Sequence, residues 1–120
     1  MPDLLLVDSI TEAVGQGAGR IVVSGSHGGA SAGRFAIEAG IRIGVFNDAG
    51  IGKDGAGIAA LDMLERYAIA ACTVGHTSAR IGEAASTLQD GVISHVNPRA
   101  AALGARRGLR VRDWLATLPG

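Results

Sequence analysis

The chain has 120 residues with 11 basic and 11 acidic side chains, so its formal net charge is zero. This length fits one domain, and we expect a single domain over residues 1–120. No basic stripe with interleaved aromatic residues is present, which argues against nucleic acid as a partner. No apolar stretch is long enough to cross a membrane and no signal peptide is recognisable, so we expect a cytoplasmic protein that does not bind membranes.

The core must be built from small and branched aliphatic side chains, because aromatic residues make up only 3% of the chain. The 19 glycines follow no fixed period, which excludes a collagen-like chain. The single cysteine, Cys72, lies in a predicted buried strand, and we interpret it as a small core residue. One cysteine provides no internal disulfide and no C-x-x-C site for zinc or redox chemistry.

Apolar runs rich in β-branched residues alternate along the chain with helical patterns. Strands are predicted at 20–25, 41–46, 69–74 and 92–95, and residues 4–7 are predicted to form a short strand or to begin a helix. Helices are predicted at 30–39, 56–67, from Thr77 or Ser78 towards Leu88, at 98–104 and at 110–118. This alternation predicts an α/β fold: a single three-layer domain with a small, mainly parallel sheet, Rossmann-like or flavodoxin-like. The pattern assigns no role to the segments 1–19 and 105–120.

Four segments share one format: an apolar run, then glycine with small polar residues and often histidine. They are 21–29, 43–57, 71–82 and 92–98. If the runs are parallel strands, each cluster falls at the carboxyl end of a strand, and these ends share one edge of the sheet. Ligands bind at that edge in open α/β sheets. The sequence therefore predicts a site for a small-molecule ligand built from these clusters.

The first cluster resembles the nucleophile elbow of α/β-hydrolases, G-x-S-x-G, with Ser26 at the central position and Ser24 in place of the first glycine. The resemblance implies a Ser26 nucleophile, followed in that family's chain order by Asp48 and then by His76 or His95. The alternative is an anion-binding turn at a helix N-terminus. In that interpretation the ligand-binding residues of the cluster are Ser24, Gly28 and Gly29.

The second cluster, Gly50-x-Gly52-x-x-Gly55, resembles the dinucleotide-binding fingerprint. It departs from the fingerprint because three residues separate the strand from its first glycine and no acidic residue ends the next strand. A P-loop also fails, since Asn47 stands at the first glycine position. A more general anion site remains, formed by the loop N–H groups with Gly50, Gly52 and Lys53. The alternative is a tight loop that lets a helix pack closely.

Asn47 and Asp48 follow the second predicted strand directly. We interpret Asn47 as a ligand-binding residue and Asp48 as a general base, a relay carboxylate or a metal ligand. The alternative for Asp48 is an Asx-turn that holds its own loop.

The chain contains three histidines, His27, His76 and His95, and all three lie at predicted strand ends. They are candidates for general acid or base catalysis. They would also supply three nitrogen ligands to a divalent metal such as zinc, with Asp48 nearby, although no H-x-H or H-x-x-x-H pair is present. A divalent metal is therefore a possible cofactor, and the sequence identifies no other.

Thr77, Ser78 and Arg80 open the third predicted helix and are candidate ligand-binding residues. The Arg80 guanidinium would clamp a carboxylate or phosphate, or it would pair with Glu83. Asn97 precedes Pro98 and is predicted to cap a helix first, with any ligand contact secondary.

These residues favour a small enzyme, a hydrolase or a lyase or isomerase, that acts on an anionic or carbonyl-bearing metabolite. Its catalytic residues would be Ser26, His27, Asp48, His76 and His95. One alternative is a non-catalytic regulatory subunit that binds a nucleotide or phosphate, and another is a structural or assembly subunit. The histidines and Asp48 favour the enzyme, because a phosphate binder needs neither. We also expect a homo-oligomer, since so few aromatic residues limit what one copy encloses.

Overall fold

The computed structural model describes residues 3–119, and its centre is a five-stranded sheet whose strand order follows the chain. The strands are β1 (Leu4–Val7), β2 (Ile21–His27), β3 (Ile43–Asn47), β4 (Ala70–Val74) and β5 (Ile93–Val96). The first four strands are parallel to one another, and β5 runs antiparallel to β4. The predicted α/β fold with a mainly parallel sheet is confirmed.

Helical segments cover both faces of this sheet. They are α1 (Ala30–Ala39), α2 (Ala59–Arg66), α3 (Ala84–Asp90), α4 (Pro98–Ala102) and α5 (Val111–Ala116), with 3₁₀ segments at Ile10–Ala13 and Lys53–Ile58. Phe46 is buried in the core on the α1 and α2 face, and Trp114 is buried in the core on the opposite face. The fold therefore has three layers, as expected. Among the helices formed by residues 3–119, none combines the length and the apolar character needed to cross a membrane.

The parallel part of the sheet is built from consecutive crossover connections. Crossovers of one hand place their helical segments on the same face, and the Ile10–Ala13 segment, α1 and α2 do share one face. The α1 helix has the predicted bounds, and Gly40 closes it in a left-handed conformation with a φ of 69°. The carboxyl ends of β2, β3 and β4 consequently meet at one edge, which we call the polar edge.

The fourth strand-end cluster does not reach this edge, and the expectation that it would is wrong. Because β5 runs antiparallel, it starts at the polar edge, where Ile93 lies opposite Val74, and leads away from it. His95 lies opposite Thr73, one position inside the sheet. Asn97 therefore ends at the opposite edge of the sheet, beside the start of β4.

Two helices begin later than predicted. The α2 helix begins at Ala59, because Asp54 and Gly55 have φ values of 56° and 71° and interrupt the turn before it. Asp54 does not cap α2; the position before the helix is Ile58, which makes no side-chain cap. The α3 helix begins at Ala84, so the residues before it form an irregular loop.

Asn97 has its predicted structural role. It precedes α4, and its side-chain Oδ1 accepts a hydrogen bond from the Ala100 N–H at 3.0 Å. The same oxygen accepts from the Ala71 N–H at 3.0 Å, while Nδ2 donates to the carbonyls of Leu61 and Ile69. The Asn97 amide thus joins α4, α2 and β4, and both of its polar atoms have protein partners.

Candidate functional site

Two loops lie at the polar edge, the β3–α2 loop (residues 48–58) and the β4–α3 loop (residues 75–83). The main cavity of the candidate site is formed mainly by the β4–α3 loop, with Asn47, Ala49 and two residues of α3. The main cavity has a volume of about 530 Å³. It is lined by Asn47, Ala49, His76, Thr77, Ser78, Ala79, Arg80, Ile81, Ser86 and Asp90.

The β3–α2 loop has an unusual backbone. Three residues other than glycine have positive φ, with 52° at Ala49, 71° at Ile51 and 56° at Asp54. Such residues are uncommon, and each costs about 1–3 kcal/mol, which the contacts of the surrounding structure must offset. The loop closes tightly on itself, since the Ile51 N–H donates to the Asp48 carbonyl at 2.7 Å and Gly57 leaves no room for a Cβ beside that carbonyl. The chain therefore holds one strained loop beside the main cavity.

The β4–α3 loop is fixed by side chains that the sequence pointed to as ligand-binding residues. Asn47 is fully buried, and its Nδ2 donates to the Ala79 carbonyl at 3.1 Å. Ser78 Oγ donates to the Gly75 carbonyl at 2.7 Å and accepts from the Val92 N–H at 3.0 Å. Asn47 and Ser78 thus line the main cavity while their polar atoms hold the loop in place.

Asp48 is the central charged group of the polar edge, with a side chain that is only 7% exposed. Its Oδ1 accepts from the N–H groups of Gly50 at 2.8 Å and His76 at 3.1 Å. Burial raises the pKa of this carboxyl, but the Gly50 N–H, the Ser94 hydroxyl, the His76 N–H and the charge of His76 outweigh burial. Together they lower the pKa of Asp48 below its ordinary value of 3.8.

His76 links this buried carboxylate to the main cavity. Its Nδ1 lies 3.4 Å from Asp48 Oδ1, and its side chain is 57% exposed. A carboxylate at Nδ1 selects the tautomer that carries the proton there and leaves Nε2 able to accept one. The arrangement is a carboxylate–imidazole pair with one partner buried and the other accessible, which suits proton transfer to and from a bound molecule.

Two hydroxyl groups that sequence reasoning missed lie on β4 and β5, close to the polar edge. Thr73 Oγ1 and Ser94 Oγ are 2.9 Å apart, and the Ser94 hydroxyl is one of the groups that lower the pKa of Asp48. His95 Nδ1 lies 3.2 Å from Ser94 Oγ. Thr73 lies within the apolar sequence of β4, and Ser94 follows an apolar residue of β5. The only sequence signal for either residue is a polar side chain within a strand that is otherwise mostly apolar. The contact between these two hydroxyls depends on the antiparallel direction of β5.

The first cluster lies on the other side of the β3–α2 loop. Ser26 belongs to β2 itself, and its Oγ accepts from the Ile10 N–H at 2.9 Å. His27 is exposed, and its Nδ1 accepts from the Gly29 N–H at 3.1 Å. Within residues 3–119, no hydrogen bond joins Ser26 to a histidine or to Asp48. The structure thus places Ser26 in a strand, not in the sharp turn that an elbow requires.

The remaining residues of the first two clusters divide into buried and exposed ones. Ser24 is fully buried and donates to the Val45 carbonyl at 2.9 Å, which ties β2 to β3. Gly28 is also buried, and its N–H donates to the Asn47 carbonyl at 2.8 Å. A second cavity of about 350 Å³, the His27 cavity, includes His27, Gly29 and Gly52 in its lining. Gly50 and Lys53 are exposed on the β3–α2 loop.

Arg80 provides positive charge at the main cavity. It lies in the β4–α3 loop, not at the start of a helix, so the predicted helix position is wrong. Its side chain is 81% exposed, and its Nη1 is 4.0 Å from Glu83 Oε2, a contact that contributes little at this exposure. Thr77 is exposed beside it, and Ser86 Oγ accepts from the Arg80 backbone N–H at 2.9 Å. The guanidinium is therefore able to contact an anion in the cavity.

The three histidines do not form one set of metal ligands. His27, His76 and His95 line three different cavities. Across residues 3–119, no three side chains of histidine, cysteine, aspartate or glutamate are grouped to hold a metal ion. Cys72 is fully buried in β4, and burial raises the pKa of its thiol to about 12.

Comparison of the chain with protein-family models, curated protein sequences and solved structures found no match. Its function is therefore inferred from the chemistry of Asp48, His76 and their neighbours.

Proposed function

We propose that the protein is a small enzyme in which His76, held by Asp48, transfers protons to and from a metabolite bound in the main cavity. The reaction class is hydrolysis or a lyase or isomerase step on an anionic or carbonyl-bearing molecule. The observation that carries the proposal is the contact between the buried Asp48 carboxylate and the exposed His76 ring at this cavity.

The chemistry of the pair supports proton transfer. The Asp48 carboxylate stays ionised near neutral pH, because its pKa is lowered. An ionised carboxylate at Nδ1 orients the imidazole and stabilises the imidazolium that forms when Nε2 takes a proton. His76 then acts as general base in one step and as general acid in the next, and Asp48 keeps the ring in place throughout.

The lining of the main cavity supports a small anionic ligand. A volume of about 530 Å³ falls in the range of pockets that enclose small molecules. Arg80 supplies a planar donor group that binds a carboxylate or phosphate in a bidentate manner. The Thr77 hydroxyl is exposed near His76 and is available to a polar group of the ligand.

The alternatives account for less of this geometry. A subunit that only binds phosphate or a nucleotide needs no buried carboxylate behind an exposed imidazole.

The proposal includes a homo-oligomer. Ile81 is 53% exposed at the main cavity, and a second copy of the chain would cover this apolar side chain.

The proposal is tested by activity measurements on the wild type, His76→Gln and Asp48→Asn. One set of probes is carboxylic esters of short 2-hydroxy acids, whose hydrolysis is measured as the release of acid. The other set is 2-oxo acids in D₂O, whose exchange of carbon-bound protons for deuterium is measured by proton NMR. We expect turnover of at least one probe, reduced about 10²–10⁴-fold in His76→Gln, as is typical for loss of a general base. We expect a smaller loss, about tenfold or more, in Asp48→Asn, because the ring remains but is less well oriented.

The matched control is Glu38→Gln, which removes an exposed carboxylate at the far end of α1 and should keep wild-type turnover. Wild-type turnover in His76→Gln, or no turnover of any probe by the wild type, would show that the proposal is wrong for this substrate class.

A further inference from the structure

We propose that the protein forms a symmetric dimer in which β1 pairs antiparallel with β1 of a second copy, so that the two sheets become continuous. The groups that recognise each other are the backbone N–H and carbonyl groups of β1 and the side chains of Leu4 and Leu6. This inference goes beyond the proposed function, and it concerns a different surface from Ile81 at the main cavity.

The two outer strands of the sheet, β1 and β5, differ in how their outer sides are covered. The segment between α4 and α5 runs along β5: the Ile93 N–H donates to the Leu109 carbonyl at 2.8 Å, and the Gly108 N–H donates to the Ile93 carbonyl at 2.8 Å. Within residues 3–119, the backbone of Leu4–Val7 makes hydrogen bonds only to β2. The outer side of β1 therefore keeps backbone donors and acceptors with which another strand can pair.

The sequence of β1 does not oppose such pairing. Natural proteins protect the outer sides of sheets with charged residues, proline or β-bulges. The β1 sequence is Leu-Leu-Leu-Val, without charge or proline, and its register with β2 is regular from Leu4 to Val7. Leu6 is 41% exposed, although it lies within a strand. These features favour a partner strand on the outer side of β1.

A second copy of the chain is the partner that these features fit. Only three of the 120 residues lie outside the described part, too few to supply a covering strand. A two-fold axis satisfies both copies with one set of contacts and leaves no outer side of β1 for further growth. No charged residue lies within β1, and the neighbouring Asp3 is paired with Arg20 of its own chain at 3.2 Å. Self-pairing therefore places no like charges opposite each other.

The two-fold axis also selects the register. Leu4 packs against the core on the Trp114 face and Leu5 packs on the other face, so Leu6 shares the face of Leu4. Residues opposite each other in an antiparallel pair point to the same face. With Leu5 opposite the partner's Leu5, each Leu6 lies opposite the partner's Leu4, which gives two leucine pairs on the Trp114 face. A register centred on Leu6 gives only one, so we assign the axis to Leu5.

The interface is small, because each copy contributes a strand of four residues. Contacts below the standard interface size are typical of weak and transient complexes. We therefore expect a dimer that dissociates at micromolar concentrations rather than a permanent one.

Sedimentation velocity over a concentration series of the full chain tests the dimer. The wild type should change from monomer to dimer as its concentration rises. Leu6→Lys should raise the dissociation constant about tenfold or more, because both leucine pairs are lost and two ammonium groups are placed between the strands. The matched control is Leu103→Lys, which changes a leucine of similar exposure, 45%, at the end of α4 and should leave association unchanged.

Isotope-filtered NMR on a mixture of labelled and unlabelled wild-type chains tests the register without any substitution. Contacts are expected between the Leu6 methyl groups of one copy and the Leu4 methyl groups of the other. This measurement decides the question even if Leu6→Lys does not fold.

Three results would overturn the inference. They are a wild type that stays monomeric at every concentration, one that grows beyond a dimer, and intermolecular methyl contacts that do not include Leu4 and Leu6. A dimer that is weakened by Ile81→Lys and not by Leu6→Lys would place the contact at the main cavity and contradict it as well. The activity of His76 and Asp48 is measured separately, so the proposed function and the dimer stand or fall independently.

Discussion

The two edges of the sheet each hold a buried Asx side chain just beyond a strand, Asp48 at the polar edge and Asn97 at the opposite edge. As whole residues, the two are almost equally buried, with 5% of Asp48 and 2% of Asn97 exposed. Both polar atoms of the Asn97 amide are hydrogen-bonded to backbone groups, and these bonds connect α2, β4 and α4. Asp48 shares one oxygen between two backbone N–H groups and the ring of His76.

The difference shows that burial of a polar side chain does not by itself mark a functional residue. The partners decide: Asn97 has only backbone partners and no accessible neighbour to act through, while Asp48 contacts a ring that is 57% exposed. A buried carboxylate in contact with an accessible titratable group is typical of functional sites. Three substitutions test this difference, and their expected effects on stability decrease from Asn97→Ala through Gly57→Ala to Asp48→Asn.

The largest effect is expected for Asn97→Ala. It leaves buried N–H and carbonyl groups of Ala71, Ala100, Leu61 and Ile69 without the partner they have now. Each such group costs about 1–3 kcal/mol, less whatever relaxation recovers, so we expect a loss of about 4 kcal/mol in the free energy of unfolding. Urea denaturation followed by Trp114 fluorescence measures it.

Asn97→Ser keeps the helix cap and should cost less than Asn97→Ala, which also provides a folded variant if the alanine variant does not fold. A loss below about 1 kcal/mol in Asn97→Ala would contradict the structural role that separates Asn97 from Asp48.

An intermediate effect is expected for Gly57→Ala at the polar edge. The added Cβ would collide with the backbone carbonyl of Asp48, which is part of the loop and cannot rotate away. We expect a loss of about 3 kcal/mol, at the upper end for overpacking, and changed NMR shifts of Asp48 and His76. Thermal unfolding and proton–nitrogen spectra measure the two effects.

The matched control is Gly75→Ala in the neighbouring loop, where a Cβ would meet only ordinary contacts at 3.8 Å from Ser78 and 4.0 Å from Val92. Equal stability of the two glycine variants would mean that the β3–α2 loop is not closed as tightly as described.

The smallest effect on stability, and the one that depends on pH, is expected for Asp48→Asn. Folding lowers the pKa of Asp48 below its ordinary value of 3.8, so the ionised carboxylate stabilises the folded protein at any pH above 3.8. This stabilisation is lost as the pH falls through the pKa that Asp48 has in the folded protein. We expect the wild type to exceed Asp48→Asn by about 1–2 kcal/mol at neutral pH. The gap should shrink as the pH falls below 3.8.

Denaturation at a series of pH values checks this, with Asp113→Asn as the control at an exposed carboxylate of α5. The control should differ from the wild type by less than about 0.5 kcal/mol at every pH. A gap for Asp48→Asn that stays constant with pH would show that the charge of Asp48 contributes nothing to stability.

Local patterns were sufficient for the features that neighbouring residues decide. The α1 helix and the Asn97 cap both depend on contacts within a few residues, and each was predicted at its observed position. The mainly parallel sheet followed from the alternation of elements. Asp48 was predicted as a candidate site residue because a charged residue that directly follows a buried strand has few purely structural roles.

Pairing between distant segments decided the rest. No local signal sets the direction of β5, because strand polarity is chosen by the whole connection through α3 and by the partner strand. That choice sent Asn97 to the opposite edge and brought the Ser94 hydroxyl to Thr73, two outcomes that a single-strand pattern does not contain. The late start of α3 has the same cause, since the β4–α3 loop is held by Asn47 and Gly25 from other strands.

By itself, the sequence determined the layers of the fold, the bounds of α1 and the polar character of the strand ends, because propensity, capping and hydrophobic periodicity act over short distances. Only the tertiary structure decided which polar residues meet. It paired Asp48 with His76, placed Ser26 in a strand and separated His27 from His95. Hydrogen bonds between such residues depend on strand direction and register, where a shift of one residue turns a side chain to the other face.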